Sequence, residues 1–382
     1  PVQHLIVVPD NHPIQLTDNI FARLGLKHLE SLKIVHSLLS DISAKAFYGL
    51  PSLTEINLSN NQLFLIHADT FANNTNLKNL KLSGNPMQLM QVLETPKPYL
   101  LQSASLTELD LSNCSLATIL PKTFSQLQNL VFVNLSSNLL KTIPKDLFEG
   151  LIDLEDIDLS SNQLRKLEKD AFKQNKGLNV LRLARNPIEA LEGLNLLNLD
   201  ELDLSSCKLR ILMKESFEGM PHLTLLNLSN NQIEVISDDS FIIFPELKKL
   251  DLSYNKLVGP LPRDLFDNNT DLEELSLSGN RELGAFVDDA GFTERHIAMK
   301  TLEVSYCGLT ALVGSQFTGM ENLNILNVSH NEIAEINDST FKNLRRLNTL
   351  DLSYNRLETL SIHVFAQNTE LVRLKLSGNP LK

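Results

Sequence analysis

The residues of this chain best suited to chemistry are its three cysteines, because a thiolate can act as a nucleophile or bind a metal ion. Cys114, Cys207 and Cys307 are separated by 93 and 100 residues, and no further cysteine or histidine stands beside them at a metal-ligand spacing. Three dispersed cysteines are too few for a disulfide scaffold or a zinc site. We therefore expect no metal site and interpret the thiols as small, buried side chains.

Motifs for catalysis or cofactor binding are not found in the sequence. It contains no glycine-rich phosphate loop, no HExxH and no GxSxG. The nine histidines are scattered, and 46 acidic residues make carboxylate pairs inevitable without implying acid–base work. We expect no cofactor and no enzymatic activity.

Charge and hydropathy argue against two further classes of protein. The net charge of −12 disfavours binding to nucleic acid, which requires clustered lysine and arginine. The chain has no run of 18 apolar residues, so we expect no membrane segment within it. Its first residues, PVQHLIVVPDNHP, lack the order of charged, apolar and small residues that a signal peptide has.

The element that positions all these side chains is a repeat of the form LxxLxLxxNxL, whose positions are counted here from its first leucine. It begins at Leu29, Leu53, Leu77, Leu106, Leu130, Leu154, Leu178, Leu199, Leu223, Leu247, Leu272, Met299, Leu323, Leu347 and Leu371. Ten of the fourteen spacings equal 24 residues, and an imperfect copy begins at Val2. Such self-similarity predicts stacked units that bury one another's apolar faces.

The motif predicts its own local structure. Its LxLxL alternation has a period of two, which indicates a short strand with the leucines facing inward. An asparagine at position nine follows the strand in most copies: Asn61, Asn85, Asn138, Asn162, Asn186, Asn231, Asn255, Asn280, Asn331, Asn355 and Asn379. Since an amide both donates and accepts, we expect these side chains to form a ladder that satisfies the backbone of the turns.

A phenylalanine lies six residues before the next motif in eleven repeats. These residues are Phe47, Phe71, Phe124, Phe148, Phe172, Phe217, Phe241, Phe266, Phe317, Phe341 and Phe365. Their common position predicts a buried spine beneath the convex side. The alternative is an aromatic box that binds a ligand.

The pattern LTEINLSNNQLFLIHADTFANNTN resembles the typical 24-residue class of extracellular animal leucine-rich-repeat proteins, shared by Toll-type, Slit-type and insect cell-surface or haemolymph proteins. The resemblance implies a right-handed leucine-rich-repeat solenoid, or horseshoe, of about 15–16 repeats, with a parallel β-sheet on the concave face and an irregular or 3₁₀ convex face. It implies a single domain over residues 1–382, with a cap-like partial repeat at 1–28 and fifteen repeats over 29–382, the last one truncated.

The repeats also group in fours. The three cysteines hold position nine in the fourth, eighth and twelfth repeats, each after an irregular repeat of 29, 21 or 27 residues that lacks the spine phenylalanine. We interpret them as replacements for the ladder asparagine. The extra residues fall in Met87–Ser105 and Arg281–Ala298, which either bulge from the coil as functional additions or pack on it as a lid.

Members of the resembled class usually carry cysteine-rich caps, and no such cluster is found in the chain. We expect either that the sequence is a piece of a longer protein or that non-cysteine residues supply the caps, as Val2–Ile14 could at the start.

The strand face is the expected binding surface, since position five varies in charge along the repeats. Its middle is acidic around Asp158 and Asp203, where Arg182 and Arg185 interrupt it, and its two ends are basic, near Lys78 and Lys81 and near Arg373 and Lys375. One hypothesis is a protein partner with a basic patch, drawn in electrostatically. The alternative is a solvated face.

Three of the five tyrosines, Tyr254, Tyr306 and Tyr354, share position eight, and His330 holds it between the last two. Adjacent parallel strands lie about 4.8 Å apart, which predicts a continuous row of Tyr306, His330 and Tyr354. Beside it stand Glu303 and Asp351. We hypothesise that the row, together with Tyr254 and these two carboxylates, binds a protein partner or a second copy of the chain. Alternatively, duplication copied a turn whose rings merely cover the asparagine ladder.

Glycosylation sequons stand at Asn73, Asn113, Asn268 and Asn337, and we expect N-glycans at Asn73, Asn268 and Asn337. Those at Asn57, Asn134, Asn227 and Asn327 arise from the repeat consensus itself. The resemblance implies an extracellular, protein-binding ectodomain of a receptor or adhesion protein, either secreted or on the cell surface. The alternatives are a secreted innate-immune protein that binds microbial glycans or immune factors, and a purely structural scaffold.

Overall fold

The computed structural model describes residues 1–8, 11–87, 97–293 and 296–382. These residues form two compact units: unit 1 comprises Pro1–Pro187 with Leu194–Leu199, and unit 2 comprises Ile188–Gly193 with Asp200–Lys382. That the chain is a single domain stays a prediction. Within the described ranges, no helix is long and apolar enough to cross a bilayer.

Unit 1 is built on parallel strands that pair in chain order. Its main strands are β1 (His4–Val7), β3 (Ser31–Ile34), β5 (Glu55–Asn57), β6 (Asn79–Lys81), β7 (Glu108–Asp110), β8 (Phe132–Asn134), β9 (Asp156–Asp158) and β10 (Val180–Arg182). A second pair joins β2 (Ile14–Leu16) to β4 (Leu39–Ile42), and one short helix, α1, spans Ile20–Arg23. Leu5 of β1 lies opposite Leu32 of β3, so the imperfect first copy adds a strand to the sheet.

Unit 2 repeats this arrangement. Its main strands are β11 (Glu201–Asp203), β13 (Leu225–Asn227), β15 (Lys249–Asp251), β16 (Glu274–Ser276), β17 (Thr301–Glu303), β18 (Ile325–Asn327), β19 (Thr349–Asp351) and β20 (Arg373–Lys375). Strands β12 (Ile211–Leu212) and β14 (Val235–Ile236) form a separate pair, and 3₁₀ turns span Lys214–Phe217 and Gly314–Phe317. Because each repeat adds one in-register parallel strand, the predicted leucine-rich-repeat solenoid of about fifteen turns is confirmed.

In each of the fifteen repeats, the turn after the main strand has a left-handed residue at position eight. Position eight has φ between 51° and 58° at His36, Asn60, Asn113, Ser137, Ser161, Arg185, Ser206, Asn230, Tyr254, Tyr306, His330 and Tyr354, and glycine holds it at Gly84, Gly279 and Gly378. This conformation favours glycine and asparagine. The fold therefore fixes the backbone at position eight whichever side chain it carries.

The asparagine ladder forms as predicted. The Asn61 amide nitrogen donates to the carbonyl oxygens of Ile34 and Leu58 at 2.7 and 2.9 Å, and its oxygen accepts the N–H groups of Ser37 and Leu39 at 2.9 and 3.1 Å. One side chain thus satisfies four backbone groups in two successive turns.

Two of the cysteines, Cys114 and Cys307, replace the donor half of this ladder. The Cys307 thiol donates to the Leu277 carbonyl oxygen at 3.2 Å, as the Cys114 thiol does to Leu82 at 3.4 Å. Burial raises the pKa of both thiols to about 12, so they are protonated at neutral pH. In the irregular repeat before Cys307, the Leu283 N–H donates to the backbone carbonyl oxygen of Asn280 at 3.0 Å.

The spine phenylalanines are buried and packed ring on ring. Phe47 and Phe71 stack with centroids 5.2 Å apart, and Phe148 and Phe172 at 5.7 Å. Phe365 alone among the eleven is half-buried. Phe21 of α1 extends the spine to an element that the motif did not predict, at 5.8 Å from Phe47.

The irregular segment 281–298, of which residues 294 and 295 lie outside the described part, packs on the coil. Phe286 and Phe292 are buried and join the spine, with Phe286 5.7 Å from Phe317 and Phe292 5.6 Å from Phe266. Of the two alternatives, packing on the coil describes this segment. In the other irregular segment, residues 88–96 lie outside the described part.

Candidate functional site

Unit 2 carries a continuous stack of three aromatic rings from successive repeats. Tyr306 and His330 stack with centroids 4.2 Å apart and planes 10° apart, and His330 and Tyr354 stack at 4.3 Å and 11°. Tyr306 and Tyr354 remain 40% and 54% exposed. The row predicted from the spacing of position eight is therefore present, with its ring edges open to solvent.

These aromatic residues occupy a backbone conformation that disfavours them. Tyr306, His330 and Tyr354 all have a φ of 54°. In this conformation the backbone N–H of each residue donates to a carbonyl oxygen of the next repeat, as from Tyr354 to Ser377 at 2.7 Å. The left-handed region costs a residue other than glycine roughly 1–2 kcal/mol. Backbone geometry therefore does not explain why aromatic side chains stand here.

Two glycines make room for the tyrosines, and the motif did not single them out. A Cβ at Gly378 would lie 2.5 Å from Cδ1 of Tyr354, and a Cβ at Gly279 would lie 2.5 Å from Cδ1 of Tyr254. Each tyrosine ring therefore leans on position eight of the following repeat. Tyr254 lies two repeats before Tyr306, and because Gly279 separates them, Tyr254 is not part of the row. At the other end of the row, Tyr354 packs on Gly378. The available signal was a glycine one repeat after each SYN triplet.

The aspartates at position five stabilise the turn that follows each strand. Oxygens of Asp158, Asp203 and Asp351 accept the backbone N–H two residues later, at 2.9, 2.9 and 3.0 Å. Asn327 does the same at 3.0 Å to Ser329. Aspartate and asparagine alternate at this position because both place an acceptor oxygen at the same reach. That alternation was visible in the sequence and was interpreted only as charge.

The two carboxylates beside the row differ in environment. Burial raises the pKa of Glu303, nearby Asp351 raises it further, and Asn327 and Lys375 oppose both effects. At Asp351 burial also acts to raise the pKa, but hydrogen bonds from Ser353 and Lys375 outweigh it, so the pKa is lowered. The Lys375 ammonium lies 3.0 Å from the Asp351 carboxylate. Glu303 is thus the less well compensated anion.

Glu303→Gln is expected to raise the melting temperature at pH 7. A pKa raised by folding means that the stability contributed by Glu303 is complete below about pH 4.5, its unfolded value, and is lost as pH rises through the folded pKa. The gain should therefore disappear in melts below that pH. Asp351→Asn is the matched control and should lower the melting temperature at pH 7. A Glu303→Gln variant less stable than the parent at pH 7 would contradict this environment.

Unit 1 brings together a smaller cluster. Arg182 donates to the Asp156 carboxylate on the neighbouring strand and lies opposite Asp158 in register. Burial raises the pKa of Asp156, while the Arg182 guanidinium opposes that shift. Arg185 is exposed at position eight. Asp203, the remaining predicted site residue, belongs to unit 2 and caps its own strand.

The strand face of unit 2 has one shallow depression across β13, β15, β16 and β17. It holds about 260 Å³, and Lys249, Asp251, Glu274 and Glu303 are among its lining residues. Small-molecule sites usually measure about 300–1,000 Å³ and enclose their ligand. This face is suited to a macromolecular surface. No group of three or more metal-ligating side chains occurs in the described part of the chain.

Comparison with known proteins places the chain in a family. A family model described as leucine rich repeat matches residues 27–87, 104–164, 152–209, 197–257, 232–281 and 321–381, which is more than half of the chain. No curated protein sequence matches significantly. A leucine-rich repeat protein of Leptospira interrogans is 26% identical with a TM-score of 0.72, over 94% of this chain and 86% of that one.

Two structures of Toll type share the fold. Toll-like receptor 13, solved with a single-stranded RNA, is 24% identical with a TM-score of 0.69, over 93% of this chain and 51% of the receptor. Drosophila Toll, solved with Spatzle, is 22% identical with a TM-score of 0.69, over 99% and 47%. This chain thus spans about half the length of both receptors.

The predicted likeness to Toll-type repeat proteins is confirmed at the level of the fold. A solenoid of this kind is a protein-interaction scaffold and is generally not enzymatic. The stacked repeats, the asparagine ladder and the family match lead to one conclusion: the chain belongs to the leucine-rich repeat family.

Proposed function

We propose that the chain is an extracellular protein-binding ectodomain of a receptor or adhesion type, and that a partner with a basic patch docks on unit 2 at the Tyr306–His330–Tyr354 row. The observation that carries this proposal is the stack of half-exposed rings at positions whose backbone disfavours them. Aromatic residues kept in an unfavourable backbone conformation suggest that their side chains have a function, such as binding. Tyrosine is enriched among interface anchors because it offers a large rigid surface with a polar tip.

The overall charge of the chain and one carboxylate beside the row support a basic partner. The chain carries a net charge of −12, and Glu303 is a half-buried carboxylate beside the row. Complementary charges raise association rates and select partners. The Drosophila Toll structure contains the protein Spatzle, which favours a protein ligand. The Toll-like receptor 13 structure contains RNA, but the net charge of −12 and the acidic middle of the strand face disfavour phosphate binding by this chain.

A displayed library of random peptides, selected against the glycosylated chain, tests the proposal. We expect enriched peptides to be rich in arginine and lysine, to bind more weakly as salt increases, and to compete with one another. Selection of neutral or acidic peptides whose binding ignores salt would overturn the basic-partner proposal. Sedimentation equilibrium and a glycan array on the same sample test a second copy of the chain and microbial glycans, the other hypotheses.

Glycosylation tests the extracellular assignment. Asn73, Asn268 and Asn337 are exposed, and we expect glycan on at least two of them in material secreted from animal cells. Asn134 and Asn227 provide the comparison, because their strand positions are half-buried and their side-chain oxygens accept backbone hydrogen bonds at 2.9 and 3.1 Å. We expect lower occupancy there. Peptide mapping that finds Asn73, Asn268 and Asn337 all bare would refute the assignment.

A further inference from the structure

The stacked phenylalanines of unit 1 end at Phe172, where a short repeat follows. The repeat that begins at Leu178 has 21 residues, and Gly193 stands where its phenylalanine would be, six residues before Leu199. Phe148 and Phe172 stack at 5.7 Å, and the next coil supplies no further ring. The 27-residue repeat of unit 2 fills its own gap with inserted phenylalanines, whereas a coil shortened by three residues has none to insert.

The interruption leaves a cavity beside Phe172. It measures about 310 Å³, and its apolar lining includes Phe172, Leu178, Leu194 and Leu196. These side chains are 1–3% exposed, so the space lies against core residues. Its volume is at the lower end of the range of about 300–1,000 Å³ for ligand sites and roughly twice that of an apolar cavity that takes up benzene. The cavity is large enough for a hydrocarbon chain.

The mouth of the cavity is cationic although the whole chain is acidic. Lys169, Lys173 and Lys176 line it, against the single carboxylate of Asp170. All three lysines are exposed. An apolar interior with a positively charged rim complements a molecule that has a hydrocarbon tail and an anionic head.

A polar group also lines this cavity. The Asn175 amide nitrogen donates to the carbonyl oxygens of Phe148 and Leu151 at 3.0 and 2.8 Å. In the equivalent residues Asn74, Asn269 and Asn368, the side-chain oxygen is buried without a hydrogen-bond partner. Asn175 instead borders the open space. Asn175 is as buried as Asn74, at 2% exposed, and its amide nitrogen is held by the backbone where it lines the cavity.

We propose that this cavity binds an anionic amphiphile such as a medium-chain fatty acid, with its tail against Phe172 and its head group among the three lysines. The site is on unit 1 and does not depend on the aromatic row of unit 2. Each methylene buried in the cavity should tighten binding about fourfold until the space is full.

Isothermal titration calorimetry of the full chain with dodecanoate, below its micellar concentration, tests the proposal. We expect saturable one-to-one binding, weaker binding of octanoate, and at least tenfold weaker binding of dodecyltrimethylammonium, which has the same tail and a cationic head. Leu196→Phe should fill the cavity and reduce dodecanoate binding at least tenfold. Leu194→Phe serves the same purpose if the first variant does not fold.

Two sets of lysine variants distinguish binding at the cavity from nonspecific electrostatic attraction of the anionic amphiphile to the protein. Lys169→Glu, Lys173→Glu and Lys176→Glu together should weaken dodecanoate binding at least tenfold. The matched variant replaces the exposed lysines Lys45, Lys122 and Lys141 with glutamate, changes the net charge equally, and should bind like the parent. Undetectable or unsaturable binding, equal binding of the cationic amphiphile, or folded cavity-filled variants that bind normally would each overturn the proposal.

Discussion

Alanine at Phe148 is expected to destabilise unit 1 by about 3–5 kcal/mol, the usual cost of removing a buried phenylalanine ring. Phe148 is fully buried and lies between Phe124, at 6.1 Å, and Phe172, at 5.7 Å. Removing it opens a void in the middle of the spine, where each coil depends on its neighbours for its core. Urea denaturation followed by circular dichroism measures the loss.

Two other spine positions serve as controls for this prediction. Phe172→Ala should cost less, because Phe172 stacks on one spine ring whereas Phe148 stacks on two. Phe365→Ala should cost least, because that ring is half-buried. If Phe148→Ala unfolds at the same urea concentration as the parent, the phenylalanines do not form a structural spine.

The solenoid could be predicted from the sequence because the residues that determine the structure of each repeat lie within that repeat. The leucines at positions one, four and six identify the strand and its inward face, as at Leu53, Ile56 and Leu58, which are fully buried. The asparagine at position nine and the phenylalanine near the end of the coil lie at constant distances from them. Stacking such units leaves few choices of register, so the contacts of Asn61 follow from the motif.

Features that depend on differences between neighbouring repeats could not be predicted in this way. The motif does not show that position eight is left-handed, so the cost of placing Tyr306 there and the need for Gly279 next to Tyr254 remained hidden. It also does not show how a shortened coil is filled. Phe286 and Phe292 close one interruption, whereas the cavity beside Phe172 persists, and both outcomes depend on packing between coils.

The acidic strand face shows how one residue type can serve two purposes. Asp351 accepts a hydrogen bond from the Ser353 N–H and forms an ion pair with Lys375, so its negative charge is partly neutralised within the fold. Glu303 has burial but no comparable ion pair among the described residues. A count of charges along position five would weigh these residues equally. Their environments make Glu303 the carboxylate with more to gain from a cationic partner.

Tyr306→Ala combined with Tyr354→Ala is expected to weaken binding of the selected basic peptides at least tenfold, about 1.4 kcal/mol, and to leave the melting temperature nearly unchanged. Both rings are about half exposed and stack on His330, so their removal opens a space that solvent reaches rather than an enclosed void. The loss of binding follows because the double variant removes both rings that hold the imidazole in the stack.

Tyr254→Ala is the matched control for the double variant. It has the same position, the same φ of 54° and a similar exposure of 56%, but it rests on Gly279 outside the row of three. Calorimetric melts and titrations of one peptide into all three proteins are sufficient for the comparison. We expect Tyr254→Ala to bind like the parent. Parent-like binding by a stable double variant would exclude the row as the docking surface, and equal losses in both variants would show that tyrosine at position eight acts without the stack.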